Sequence, residues 1–422
     1  MNIDAIELSS TIPQSLTSRR AGSLLRAWTI MAVMFVSIAA SPNECYSDIT
    51  DRGFQVGLTD GITNEVLQEL KQSWKINLVR LQVGDNTNMD GAVGQQYLDM
   101  MERVFQLVDR KLPLFAANNI KVVFTLYSPP GGFETRIKMP HHAMFSRPEL
   151  QRDFISIWEA IIDRYGNHPA IYAFDLSNEP AENPKSVCDA CKSWTELLPD
   201  VVAAIRAKGP TIPIIVKAPY ANASKLGQLP LFNDPQIIYN YHAYAFTRYQ
   251  HTGLNKPSGR IPRPSREAVQ RETYGRLRSF IAKWIAAHKK GQVSAPLPKI
   301  NVGELAVSAC AEEPGVFLND LLATVEGSFD EIDGDLLKTT CSSLTSKRAR
   351  TRCNKKARDL KRKFPLVAAM RQAHSSWTYH GFDDAPVWDP RYMCSPPNQF
   401  VLSPTETERE IVLKGYFSRN TH

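Results

Sequence analysis

The feature that most restricts this chain is an alternation. From Gly53 onward, short β-branched or apolar runs take turns with helical stretches, the pattern of repeated βα units around a parallel sheet. The candidate strands are Phe54–Leu58, Asn77–Val83, Ile120–Leu126, Ile171–Leu176, Pro213–Lys217, Ile237–Tyr241, Ile300–Gly303 and Ser376–Tyr379. Helical periodicity falls in Asn64–Ser73, Gly94–Ala117, Pro148–Tyr165, Trp194–Lys208, Arg266–Lys289 and within Lys356–His374. Eight strands with intervening helices predict an α/β fold of the (β/α)₈ TIM-barrel type. A doubly wound open sheet would alternate in the same way, but no GxGxxG or GxxxxGK[ST] follows the first strand. At 422 residues, with 43% hydrophobic and 22% charged, the chain has material for one large core. No repeat or Gly/Ser/Pro-rich linker divides it, so residues 41–422 are read as a single catalytic barrel.

Residues 1–40 are read as a removed signal peptide. Arg19, Arg20 and Arg26 precede the apolar run Ala27–Ala40, and Ala39, Ala40 and Ser41 supply small residues where a peptidase would cut. Fourteen residues fall short of the roughly 20 of a spanning helix, so no stable membrane insertion is expected once the signal is gone. The destination is the medium or the periplasm. In that setting the seven cysteines are disulfide partners before they are metal ligands. The expected bridges are Cys188–Cys191, Cys341–Cys353 and Cys310–Cys394.

The net charge of +7 is local. Between Lys347 and Lys363 ten basic residues meet one acid, a net of +9, so the rest of the chain is slightly acidic. This basic insertion, at about 341–363, reads first as a solvated face and second as an attractor for an anionic polymer. No aromatic residues interleave with its charges, which argues against nucleic acid. The oligomeric state is not legible.

In a barrel, chemistry sits at the C-terminal ends of the strands. The fourth candidate strand runs into Ser177-Asn178-Glu179-Pro180, the sixth into Tyr241-His242-Ala243-Tyr244 and the seventh into Gly303-Glu304-Leu305, while the eighth carries Trp377. Glu179 and Glu304 are 125 residues apart, yet strands four and seven face one another across a closed rim. Two carboxyl groups roughly 5 to 5.5 Å apart are the apparatus of retaining glycoside hydrolysis, which needs no metal or organic cofactor. The neighbours suit a sugar: Asn178 offers an amide, Tyr244 a phenol and Trp377 an apolar face. Alone, His242 reads as a structural histidine and Arg80 as a buried ion-pair partner; Asp175, inside its strand, reads as a buried hydrogen-bonding acid.

The run Asp163–Pro180 (DRYGNHPAIYAFDLSNEP) resembles the acid/base segment of glycoside hydrolase family five, the cellulase-type barrels of clan A. Ile237–Gly253 resembles that family's His-x-Tyr strand and Val302-Gly303-Glu304 its nucleophile strand, all in the family's order. The resemblance implies that Glu179 is the acid/base and Glu304 the nucleophile. It implies that Asn178 binds the sugar 2-hydroxyl, Tyr244 bonds the nucleophile, His242 sits beside the acid/base, Arg80 supports the nucleophile and Trp377 forms a sugar platform. One position departs. Where the family has a histidine after the third strand, this chain has Tyr127, which puts the central subsite and the specificity in question; His141 or His142 could fold back to replace it.

The expected function is therefore retaining hydrolysis of a β-linked glucan, with mannan or another β-glycan as the next substrate and a polysaccharide or oligosaccharide as the partner. Two readings from other classes remain at this point: a carbohydrate-binding protein without turnover, and a redox protein built on Cys188 and Cys191.

Overall fold

The computed structural model describes residues 51–84, 90–134, 141–209, 211–254, 261–326, 346–348, 350–351, 374–382, 386–395 and 399–420. The signal segment, the Cys341–Cys353 pairing, most of the basic insertion and the helix expected before His374 lie outside the described residues.

Eight parallel strands close into a barrel in sequential order: β1 (Asp51–Gly57), β2 (Leu78–Val83), β3 (Lys121–Leu126), β4 (Ile171–Asp175), β5 (Ile214–Asn222), β6 (Ile237–His242), β7 (Lys299–Leu305) and β8 (His374–His380). β8 pairs back onto β1, with Arg52 opposite Trp377. The helices between them are α1 (Asn64–Gln72), α2 (Gly94–Ala117), α3 (Pro148–Tyr165), α4 (Trp194–Ala207), α5 (Arg266–Lys289) and α6 (Pro314–Val325). Beyond the barrel come a hairpin, β9 (Tyr392–Ser395) and β10 (Gln399–Leu402), and α7 (Glu408–Phe417). The (β/α)₈ reading is correct, and every expected strand is present within a few residues of its expected bounds. Helix α6, helix α7 and the hairpin were not anticipated. Local chemistry starts the helices: Thr407 and Glu410 form a reciprocal capping box on α7, and Pro148 occupies the first turn of α3.

The strand period of two sorts the barrel interior into layers. Leu78, Val123, Ala173, Ile215 and Ile238 pack together as an apolar floor. Two residues further along each strand stand Arg80, Thr125, Asp175, Lys217 and Asn240, all buried. A polar layer therefore lies directly above an apolar one, just beneath the rim. The opposite faces of the strands bury aromatic residues against the helices; Phe54, for example, packs on Trp74, Phe382 and Phe417.

One buried ion pair fastens the shell to the barrel. Glu326, capping α6, accepts from Arg52 Nε at 2.5 Å and from Trp377 Nε1 at 2.9 Å. Disulfides secure two rim loops: Cys188–Cys191 ahead of α4, and Cys310–Cys394 between the loop after β7 and β9. His141 and His142 are both buried. His141 Nδ1 accepts from the Asn183 N–H and His142 Nδ1 from the Ala181 N–H, so both rings brace the loop after β4. No helix among the described residues is long and apolar enough to cross a membrane.

Two stability effects follow. Glu326→Gln strands the buried Arg52 charge and is expected to cost about 3–5 kcal/mol in denaturant unfolding; an unchanged midpoint would contradict the role given to this pair. Burial, reinforced by His141, pushes the His142 imidazole down to about 3. The unfolded ring binds a proton that the native ring refuses, so stability falls as pH drops from the ordinary histidine range toward that value. Removing this one titration in His142→Gln should make the slope of unfolding free energy against pH shallower by up to about 1.4 kcal/mol per pH unit in that window. Parallel slopes for the two proteins would contradict it.

Candidate active site

Glu304 reaches the cleft because its strand is irregular. β6 and β7 pair Tyr241 with Val302 and then His242 with Glu304, which leaves Gly303 as an extra residue. Without that bulge, alternation from the inward Asn301 would turn Glu304 toward the helices. Glycine is required there: a Cβ at position 303 would meet Asn240 Nδ2 at 2.3 Å.

The Glu304 carboxylate is buried and surrounded by donors. Tyr244 Oη donates to Oε1 at 2.8 Å, and His380 Nδ1 lies 2.7 Å from the same oxygen. On Oε2, Arg80 Nη1 approaches to 3.4 Å and His242 Nδ1 to 3.5 Å. Burial alone would raise this carboxyl. The neighbouring His380, His242 and Arg80 more than reverse that, and hold it well below the usual carboxylate range.

Glu179 stands opposite, in the loop leaving β4, with its side chain 43% exposed. Its Oε1 lies 2.7 Å from His242 Nδ1, within hydrogen-bond distance. One oxygen from each glutamate and a nitrogen of His242 all lie within 4.8 Å of one another. A cation would fit such a donor set, yet each of these atoms is already engaged in a hydrogen bond or a charge contact with its neighbours. A bound of this size suits a retaining pair, whose carboxyl groups stand about 5–5.5 Å apart, and not the wider spacing of an inverting one.

Beneath the two glutamates lies the buried polar layer. A single oxygen of Asp175 accepts from Arg80 Nε at 3.0 Å, from Thr125 Oγ1 at 3.2 Å and from Lys217 Nζ at 2.8 Å. Arg80 also donates to Gln55 and, through Nη2, to Asn178 Oδ1 at 2.9 Å. That bond fixes which way the Asn178 amide faces. Lys217 Nζ lies 3.4 Å from His242 Nε2.

The structure thus brings together Arg80, Asn178, Glu179, His242, Tyr244 and Glu304. Tyr127 sits at the rim after β3, half-buried, with its N–H bonded to Val83. Trp377 is a correction. Along β8 the inward phase is Ser376, Thr378 and His380, so Trp377 points outward; it is fully buried, stacked on Phe417 and bonded to Glu326. It forms no sugar platform. The reasoning from sequence missed His380, which that same phase would have placed at the rim, and Lys217, which follows Ile215 by two. It also missed Trp388, a loop residue whose ring lies 4.8 Å from His251 and 5.9 Å from His380. A cavity of about 280 Å³ opens beside Glu179, lined by Tyr220, Asn222, Tyr244, His251 and Arg276 among others.

Known proteins resemble this chain to different degrees. Residues 47–293 match the family model described as cellulase, glycosyl hydrolase family 5. Cellodextrinase A of Ruminococcus flavefaciens is 27% identical over 199 residues, 46% of this chain and 55% of that protein. Endoglucanase C of Acetivibrio thermocellus is 29% identical over 138 residues, 32% of this chain and 38% of that protein. The match thus spans about half the length of the first relative and less of the second. Among solved structures, the cellulose synthase subunit Z of Clostridioides difficile superposes with a TM-score of 0.54 at 16% identity, over 86% of this chain and 99% of that one. A hyperthermophilic endo-β-1,4-glucanase in complex with substrate gives 0.53 at 14%, over 87% and 98%. These two likenesses are to the fold. With more than half of its length under the family model, the chain belongs to glycosyl hydrolase family 5, the cellulase family.

Proposed function

We propose that this chain is an exported glycoside hydrolase that cleaves a β-linked glucan with retention of configuration, Glu304 acting as nucleophile and Glu179 as acid/base. The observation that carries the reading is the separation of the two carboxyl groups, within 4.8 Å at their nearest donor-set atoms. The relatives named a cellodextrinase and an endoglucanase support glucan as the substrate, and the basic-then-apolar segment before Ser41 supports export. In this reading residues 41–422 make one catalytic domain.

The environments divide the labour. Glu304, buried under four donors, is held as the anion and attacks the anomeric carbon; Tyr244, His380 and Arg80 keep it ionised and aimed. Glu179, more exposed and facing the cavity, gives its proton to the departing glycosidic oxygen and later takes one from the water that releases the glycosyl-enzyme. Asn178, its carbonyl oxygen held by Arg80, has its amide N–H₂ to offer a sugar hydroxyl.

Glu304→Gln should lower kcat on soluble β-glucan by at least about a thousandfold, and Glu179→Ala by roughly 10²–10⁴-fold. The second loss should shrink with aryl glycosides whose leaving group needs no proton, and azide should restore turnover. Reducing-end release near the unsubstituted level from either variant would refute the assigned role. Because the Glu304 carboxyl is depressed, it stays ionised as pH falls through the ordinary carboxylate range. The acid limb of kcat/KM is therefore expected below about pH 4.5, and His380→Phe should move it upward. A limb that does not move on this substitution would show that His380 does not set it.

A further inference from the structure

His242 touches both glutamates through one nitrogen, so its effect on Glu179 depends on where its proton resides. A neutral imidazole has one donor and one acceptor nitrogen. The other nitrogen, Nε2, faces Lys217 Nζ at 3.4 Å, and an ammonium has only protons to offer. Lys217 is itself fully buried and anchored on Asp175 at 2.8 Å.

We propose that Lys217 is a positioning residue for the acid–base step: held by Asp175, it fixes His242 as the neutral Nδ1–H tautomer, which donates to Glu179 Oε1. The consequence falls on the acid. With Oε1 committed as an acceptor from His242, the proton of the resting Glu179 must sit on Oε2, the oxygen left to meet the glycosidic oxygen. That proton passes to the leaving oxygen, and the carboxylate so formed keeps the His242 hydrogen bond until it receives a proton from water. The inference rests on the acid/base role proposed for Glu179.

Charge balance points the same way. Around His242 stand Lys217 and Arg80 as cations, Asp175 and Glu304 as anions, and the neutral phenol of Tyr244. With Glu179 protonated these formal charges cancel, whereas an imidazolium would add an uncompensated buried charge. Burial, with Glu304 opposing and Lys217 assisting, lowers the His242 value, in agreement with a neutral ring. Burial, then Arg80, brings Lys217 down to about 8 against the pull of Asp175, so it remains an ammonium below that pH.

The test reads the tautomer without turnover. In ¹⁵N-histidine-labelled enzyme at pH 6, long-range ¹H–¹⁵N correlations, assigned by the signal lost in His242→Gln, should show Nδ1 protonated and Nε2 bare. Lys217→Met should convert this to a tautomer mixture or an imidazolium and lower kcat on glucan about tenfold or more with little change in KM, while Lys217→Arg should restore the wild-type signature. A proton on Nε2 in the unsubstituted enzyme overturns the proposal, whether or not any variant folds, and so does a spectrum unchanged in Lys217→Met. Either result leaves the role of Glu179 standing; conversely, a Glu179→Ala enzyme that still turns over glucan would sink that role and leave the tautomer intact.

Discussion

One oxygen of Asp175, gathering Arg80, Lys217 and Thr125 inside the barrel mouth, organises what stands above it. A buried ion cluster of this kind adds little net stability, because desolvating the charges offsets most of their attraction. Its effect is placement. Arg80 carries the order of the layer to Glu304 and Asn178, and Lys217 carries it to His242. The rim residues are therefore supported from below by strand residues whose positions the closed sheet fixes, a more rigid base than loops could provide.

The two glutamates differ in what surrounds them, and that difference separates their roles. Glu304 stands buried with donors on both oxygens, which favours the anion despite the cost of burial. Glu179 faces the cavity with His242 as its described hydrogen-bond partner. A bulge at Gly303 on one strand and a loop leaving another bring groups of such different surroundings to within a sugar's width. Glu304 would not face the cleft by simple alternation from the strand below it, whereas Glu179 keeps the inward phase of Ala173 and Asp175.

Much of this could be read from the residues alone. The βα alternation is strong because parallel strands buried on both faces are nearly continuous apolar runs, and the family motifs lie at strand ends where side chains have little room to vary. Trp377 was misplaced because an aromatic at a strand end looks like a platform until its phase is counted; Thr378 and His380, not Trp377, share the inward face. A lysine closing a short strand reads as solvated, and only the register of β4 on β5, which sets Asp175 opposite Ile215, brings the carboxylate beside Lys217. Helix α7 contributes to the shell through partners on other elements, such as Phe417 on Trp377, and such partners leave no periodic trace.

The central claim is that the glutamates stand close enough for the enzyme itself, and not water, to attack the sugar first. Proton NMR of the earliest product, recorded before mutarotation as a β-glucan is hydrolysed, tests this most directly. The account predicts that the new reducing end appears as the β-anomer and drifts to the equilibrium mixture. An initial α-anomer would mean inversion by a single displacement, and would contradict it.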